Sequence, residues 1–208
     1  MPYQFQLKPP AYARILDQVQ NAAYETPGPL ECRAWVSDEP VGFADRETGV
    51  PQVLEIGQPC GKRVFDCARM SFSGRVPDSA AGKTVVALVD FNGEGLVVGP
   101  SGEPQQGMTT VSSEFDTRYG IPVKRTVPLF QTASGGEKIS FWVDAANNDL
   151  FGKVPNSGRQ QARLAVQRPE LLALGYDLEV LGDFLRVLDP RSARCQRLKA
   201  KLYDAACR

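Results

Sequence analysis

Acidic side chains are the residues of this chain that come closest to a set able to do chemistry. Paired carboxylates can serve as acid and base in the hydrolysis of a glycosidic bond. The carboxylates here fall in predicted turns and on polar strand faces, where a solvated state is the usual one. The chain has no histidine, so a histidine-based triad is excluded and a catalytic zinc would need unusual ligands. We therefore predict no catalytic residue and no metal site. The candidate carboxylates are Asp90, Glu94, Glu103, Glu114, Asp116 and Asp144.

Two glycine-containing stretches resemble phosphate-binding loops, but neither keeps the required pattern. Gly93, Gly95 and Gly99 place the third glycine one position late for a dinucleotide fingerprint, and no helix is predicted after them. A β-hairpin turn is the better interpretation of these glycines. Residues 82–84 end like a Walker A loop, yet Pro77 stands where the first glycine of that motif belongs. We therefore predict no nucleotide cofactor.

Aromatic side chains offer another candidate binding surface, because aromatic rings bury the apolar faces of sugars. Trp142 and Trp35 are the best candidates. The alternation of residues 139–144 places Phe141 and Trp142 on opposite faces of a strand, so one of the two belongs to the core. The sequence allows both a sugar contact through Trp142 and a core position for it. The alternates are Phe141, Tyr119 and Phe151.

The cysteines and the charge balance bear on location and partners. The cysteines form no Cys-x-x-Cys pair, so we predict reduced, mostly buried thiols rather than a metal or redox site. Basic and acidic residues number 24 each, which gives no reason to bind nucleic acid or an anionic membrane. Residues 1–10 lack the pattern of a signal peptide, and the predicted location is the cytoplasm. The cysteines are Cys32, Cys60, Cys67, Cys195 and Cys207.

Hydrophobic periodicity predicts a mostly β chain with helices at both ends. A first helix is predicted over residues 11–24. Short strands separated by regular turns then indicate an antiparallel β-sandwich. Leucines at spacings of three and four predict a helix over residues 169–188, and a further helix is predicted over 192–208. The predicted strands are 30–36, 52–56, 63–76, 84–91, 95–99, 121–130, 139–145 and 160–167, with 84–91 as a central strand.

Four segments carry a resemblance to a known enzyme family. Their order and spacing along residues 60–205 are similar to the N-terminal, pre-catalytic region of the glycoside hydrolase family 38 α-mannosidases, particularly the non-secreted branch. Each segment alone is a weak signal, but the four in sequence are fairly specific. They are FSGRVP at 72–77 with 82–89, EGL at 94–96 with GEPQQGM at 102–108, ISFWVDAANNDLFG at 139–152, and 162–185, which begins ARLAVQRPELLALGYDLEVL.

The resemblance implies a β-sandwich of the galactose-binding or jelly-roll kind, with an N-terminal helix and a C-terminal helical hairpin. The implied domains are an N-terminal helical segment at 1–29, the sandwich at 30–168, and a hairpin at 169–208 that leads toward a catalytic domain. In such an enzyme the nucleophile and the zinc ligands follow the hairpin. The expected partners are therefore that catalytic domain of the same polypeptide and mannose-containing glycans, with no cofactor in this chain. Glu94, Gln105, Gln106 and Gly107 fall in a matching motif and are expected to fix the hairpin shape or domain contacts.

Two functional hypotheses follow, and they belong to different classes. The first is a non-catalytic domain of a retaining α-mannosidase, inactive alone, whose hairpin leaves an apolar patch uncovered. The second is a stand-alone carbohydrate-binding module, which rests on the sandwich pattern and on Trp142. An independent small enzyme is a distant third.

Overall fold

The computed structural model describes residues 9–63, 66–91, 93–109, 125–146 and 161–206. The chain divides into two compact units. One is a β-unit, Thr26–Val166, and the other is a helical unit made from Met1–Glu25 and Gln167–Arg208. The helical segments predicted separately at the two ends of the chain thus fall in one unit.

The β-unit is a sandwich of two antiparallel sheets, as the sequence predicts. Its strands among the described residues are β1 (Tyr24–Pro29), β2 (Glu31–Ser37), β3 (Gln52–Val53), β4 (Cys67–Arg75), β5 (Thr84–Asp90), β6 (Glu94–Val98), β7 (Pro104–Thr109), β8 (Thr126–Phe130), β9 (Lys138–Ala146) and β10 (Gln161–Gln167). The larger sheet has the order β3-β2-β4-β9-β6-β7 and the smaller has the order β1-β10-β5-β8.

The core lies between the two sheets, and side-chain alternation decides what enters it. β4 and β9 pair along their whole length. On β9, Phe141 packs against the core and stacks on Phe72 of β4, with ring centroids 5.1 Å apart. Trp142 therefore projects from the opposite, outer face of the six-stranded sheet. β5 is almost wholly buried and lies between β10 and β8, which confirms the predicted central strand.

Two edge strands, β1 and β7, are not predicted from the sequence. β1 contains Pro27 and Pro29 and falls where no strand is predicted, but an edge strand tolerates proline because its missing N–H need not join a ladder. β7 also falls where no strand is predicted. Pairing with β6 forms it despite the weak strand propensity of Pro104 and Gly107. The other changes are boundaries: the strand predicted at 52–56 is Gln52–Val53, that at 63–76 is Cys67–Arg75, and that at 121–130 is described from Thr126.

The helical unit contains α1 (Pro9–Ala22), α2 (Pro169–Val187) and α3 (Ala193–Ala206). α1 begins and ends two residues before the predicted 11–24, because the chain enters β1 at Tyr24. α1 packs on the face of α2 that carries Gly175 and Gly182. A Cβ at Gly182 would lie 2.9 Å from Cε1 of Tyr12, so glycine permits this close approach. None of the described helices is both long and apolar enough to cross a membrane.

Candidate functional site

Trp142 lies half-buried on the outer face of the six-stranded sheet, beside Trp35. β4 runs between their two strands, pairing Trp35 with Arg69 and Trp142 with Ser71. The two indoles therefore project from the same face, and their ring centroids are 5.3 Å apart. The structure thus brings together the two best sugar-stacking candidates and places the alternate Phe141 in the core.

The segment between β2 and β3 covers part of this aromatic pair. Its short 3-10 helix, Phe43–Asp45, brings the edge of Phe43 to Trp142, with ring centroids 6.5 Å apart. The Arg46 guanidinium lies over both rings, 4.2 Å from the Phe43 centroid and 5.0 Å from that of Trp142. Part of the Trp142 ring is therefore already occupied by a cation–π contact.

A cross-strand ion pair lies next to the indoles. Arg69 of β4 faces Asp144 of β9, and Nε of the arginine is 2.6 Å from Oδ1 of the aspartate. Arg69 is buried, and its guanidinium also donates to the carbonyl oxygen of Val41. Burial raises the pKa of Asp144, and Arg69 partly opposes this rise. We name Trp35, Phe43, Arg46, Arg69, Trp142 and Asp144 the outer-face cluster.

The outer-face cluster has the chemistry of a polar-ligand surface rather than of a catalytic centre. Indole faces bury apolar sugar carbons, and a carboxylate with its side chain 35% exposed can accept hydrogen bonds from hydroxyls. Within the cluster, Asp144 neutralises the charge of Arg69. A ligand would have to contact the parts of the indole rings that Phe43 and Arg46 leave uncovered.

The residues present do not fit the zinc that the family resemblance implies for the parent enzyme. The sequence has no histidine, and the described residues bring together no group of three His, Cys, Asp or Glu side chains able to hold a metal ion. Cys60 and Cys195 are free thiols, and both are buried. Burial, followed by the charge of Asp66, raises the pKa of Cys60 to about 12, which leaves its thiol unreactive at neutral pH.

The four motif residues lie on the β6–β7 hairpin. Glu94 and Gln105 are exposed, and Gly107 has no atom within 4 Å of the position that a Cβ would take. Gln106 differs from them, because its Nε2 donates to the carbonyl oxygen of Thr126 at 2.7 Å. That bond joins β7 of one sheet to β8 of the other. The expectation that the motif fixes hairpin shape or domain contacts stays a prediction.

The turn of the same hairpin contacts the outer-face cluster. The Gly99 N–H donates to the Glu103 carbonyl at 2.8 Å, and Gly102 sits within the turn at a φ of +86°. A Cβ at Gly102 would lie 2.6 Å from Cγ of Phe43. Gly102 therefore provides both the left-handed backbone and the space in which the Phe43 ring rests.

Two other carboxylates proposed from the sequence form contacts within the fold. Asp90 is buried and pairs with Arg125 at 2.7 Å. It belongs to the four-stranded sheet, whereas Asp144 belongs to the other sheet. Glu103 accepts a hydrogen bond from the Ser101 N–H within its own turn. The candidates Glu114, Asp116, Tyr119 and Phe151 lie outside the described residues.

Sequence reasoning missed Phe43, Arg46 and Arg69. Phe43 and Arg46 come from the segment between β2 and β3, and no local pattern indicates that it folds back over a sheet. Arg69 has a weak local signal, since it is a charged residue flanked directly by apolar residues in a predicted strand. A charge in that setting usually has a partner.

The helical unit has a groove between α2 and α3 of about 420 Å³. Its apolar lining is Leu181, Phe184, Leu188 and Leu198. Its remaining lining residues are all cationic, namely Arg194, Arg197 and Lys201. We call this feature the α2/α3 groove.

Two antiparallel sheets packed face to face define the β-unit as a sandwich of the jelly-roll class. Residues 28–168 match the family model described as "Alpha-mannosidase, jelly roll domain". Because the match spans about two thirds of the chain, the chain belongs to this family. The jelly-roll fold implied by the resemblance is thereby confirmed.

Proposed function

We propose that this chain is the non-catalytic N-terminal domain of a retaining α-mannosidase of glycoside hydrolase family 38, from the non-secreted branch. The match of residues 28–168 to the α-mannosidase jelly-roll domain carries the proposal. The four segments that resemble family 38 narrow the proposed enzyme to that family. Free, buried thiols such as Cys60 and Cys195 suit a reducing compartment, so the proposed location is the cytoplasm.

The role of the chain in this proposal is structural and interdomain. The catalytic nucleophile and the zinc ligands belong to a catalytic domain of the same polypeptide, which acts on mannose-containing glycans. The helical unit supplies the docking surface. Its α2 exposes large apolar side chains, of which Val187 is 80% and Val180 54% exposed, and such a patch marks an interaction surface.

An activity comparison tests this proposal. The polypeptide expressed from the complete source gene should hydrolyse 4-nitrophenyl α-mannoside, and the 208-residue chain alone should not, with or without added Zn²⁺. Turnover by the chain that survives repurification would overturn the proposal. A gene that ends at the Arg208 codon would overturn it as well, because no catalytic domain would then be attached.

Carbohydrate binding by the β-unit is the second candidate function. The pairing of Trp142 with Trp35 beside the half-exposed Asp144 favours it. Mannose and mannobiose titrations, followed by tryptophan fluorescence, test it directly. Saturable binding that Trp142→Ala abolishes would support a sugar module, and no shift at millimolar sugar would remove this candidate.

A further inference from the structure

We infer that the α2/α3 groove receives an amphipathic helical segment whose apolar side chains are flanked by carboxylates. The inference deepens the docking role proposed above and rests on it. It adds the chemistry of the occupant, which the family match does not address.

The floor of the groove is apolar, and the groove is large enough to hold side chains of a partner. Leu181, Leu188 and Leu198 are partly buried, while Phe184 remains 43% exposed. A cavity of roughly 150 Å³ holds one benzene ring. The 420 Å³ of this groove is therefore enough for more than one apolar side chain.

The apolar surface continues along α2 beyond the groove. Val180, Phe184 and Val187 are all exposed and lie four and three residues apart, so they share one side of the helix. The opposite side is occupied, because α1 packs against Gly175 and Gly182. The exposed side thus forms an elongated apolar strip, which matches the row of anchors on an amphipathic helix.

Within the described residues, the cations of the groove have no acidic partner. Arg194, Arg197 and Lys201 are spaced three and four residues apart on α3, and the Arg194 guanidinium lies 5.9 Å from the Phe184 ring centroid. Across the described part of the chain, no carboxylate forms an ion pair with any of the three. The whole chain has a net charge of zero, so this is a local excess. Charge complementarity therefore assigns carboxylates to the occupant.

Other occupants fit the groove less well. A membrane surface takes up a convex apolar face that inserts among the lipids, whereas four of the apolar residues here line a concave groove between two helices, namely Leu181, Phe184, Leu188 and Leu198. A second copy docked symmetrically through the same face would bring like-charged arginines and lysines together. A separate acidic helix satisfies both the shape and the charge.

A peptide titration tests the inference on the complete 208-residue chain. The probe is a fluorescent, end-capped helical peptide of about four turns. It has leucines along one face, flanked by glutamates. Two matched peptides replace every glutamate by lysine or every leucine by alanine. In anisotropy measurements we expect saturable binding of the Glu/Leu peptide, weaker in high salt, and affinities at least about tenfold lower for both controls.

Chain variants locate the binding. Phe184→Ala, and separately the double change Arg197→Glu with Lys201→Glu, should each weaken binding at least about fivefold. Lys199→Glu is the matched control, because Lys199 lies on the same helix but does not line the groove, and it should leave binding unchanged. These substitutions alter mostly exposed side chains, and circular dichroism verifies that each variant is folded.

Several results would overturn the inference. They are no saturable binding up to about 1 mM peptide, equal binding of the lysine peptide, self-association that Phe184→Ala abolishes, or binding only to vesicles of phosphatidylcholine and phosphatidylserine. If the peptide fails while the complete enzyme hydrolyses mannosides, the groove inference fails and the proposed function stands. If the chain binds the peptide but its gene encodes no catalytic domain, the inferred chemistry of the groove stands and the proposed mannosidase function fails.

Discussion

At position 102, both the backbone conformation and the packing require glycine. Its φ of +86° is unfavourable for other residues, and a Cβ would lie 2.6 Å from Phe43. We predict that Gly102→Ala lowers the free energy of unfolding by roughly 1–3 kcal/mol, measured by urea denaturation. Gly107→Ala is the matched control, because a Cβ there meets no atom within 4 Å, and it should change stability by less than about 0.5 kcal/mol. If the two substitutions lower the free energy of unfolding equally, the special requirement for glycine at position 102 is refuted.

Asp66 should make stability depend on pH. Hydrogen bonds from the backbone N–H groups of Lys62 and Arg63, followed by the Arg63 side chain, lower its pKa against the opposing effect of burial. A lowered pKa means that the stabilisation is complete above the unfolded-state value of 3.8 and is lost as pH falls through the folded value. Asp66→Asn should therefore destabilise the chain at pH 7.

The stability difference between wild type and Asp66→Asn should shrink as the pH is lowered below about 4. Urea unfolding at a series of pH values checks this. The control is Glu39→Gln, which neutralises an exposed carboxylate in the same unit and should give no comparable trend. A difference that stays constant from pH 7 into the acid range would refute the assignment.

The outer-face cluster shows which residues of a site a sequence can reveal. The opposite faces of Phe141 and Trp142 follow from strand alternation, which is a local property, and the structure confirms it. The contact between Arg69 and Asp144 requires the register of two strands that are distant along the chain. Nothing within either strand specifies that register, so the ion pair could not be predicted.

The bond from Gln106 to Thr126 is a link between elements, because it joins edge strand β7 to the opposite sheet. We predict that Gln106→Ala lowers the free energy of unfolding by about 0.5–1.5 kcal/mol, the usual net value of one hydrogen bond. Gln105→Ala, at the exposed neighbouring position, should have little effect in the same denaturation experiment. If Gln105→Ala proves the more damaging of the two, the cross-sheet bond is not what gives Gln106 its importance.

Elements with a strong pattern could be predicted, and elements formed by pairing could not. β5 is apolar almost throughout, and α2 carries leucines at helical spacing after Pro169, so both have the predicted positions to within a residue. β1 and β7 have proline and glycine in place of strand-forming residues. Their partners β10 and β6 impose the extended conformation, which is a tertiary effect.

At the scale of the whole molecule, the division into two units predicts that the β-unit folds without the helical one. Every buried residue of its hydrophobic core falls between Leu30 and Val166. A chain of residues 24–168 keeps both β1 and β10 complete. It should therefore show a β-type circular dichroism spectrum and a single cooperative thermal transition.

A shorter chain of residues 30–168 is the informative control for that experiment. It lacks β1, so β10 loses its ladder partner in the four-stranded sheet and becomes an exposed edge. It should melt at a clearly lower temperature than residues 24–168, or aggregate. A 24–168 chain that is unfolded where the 208-residue chain is folded would show that the β-unit depends on the helices for its stability. Equal melting of the two truncated chains would instead show that β1 contributes little to the sandwich.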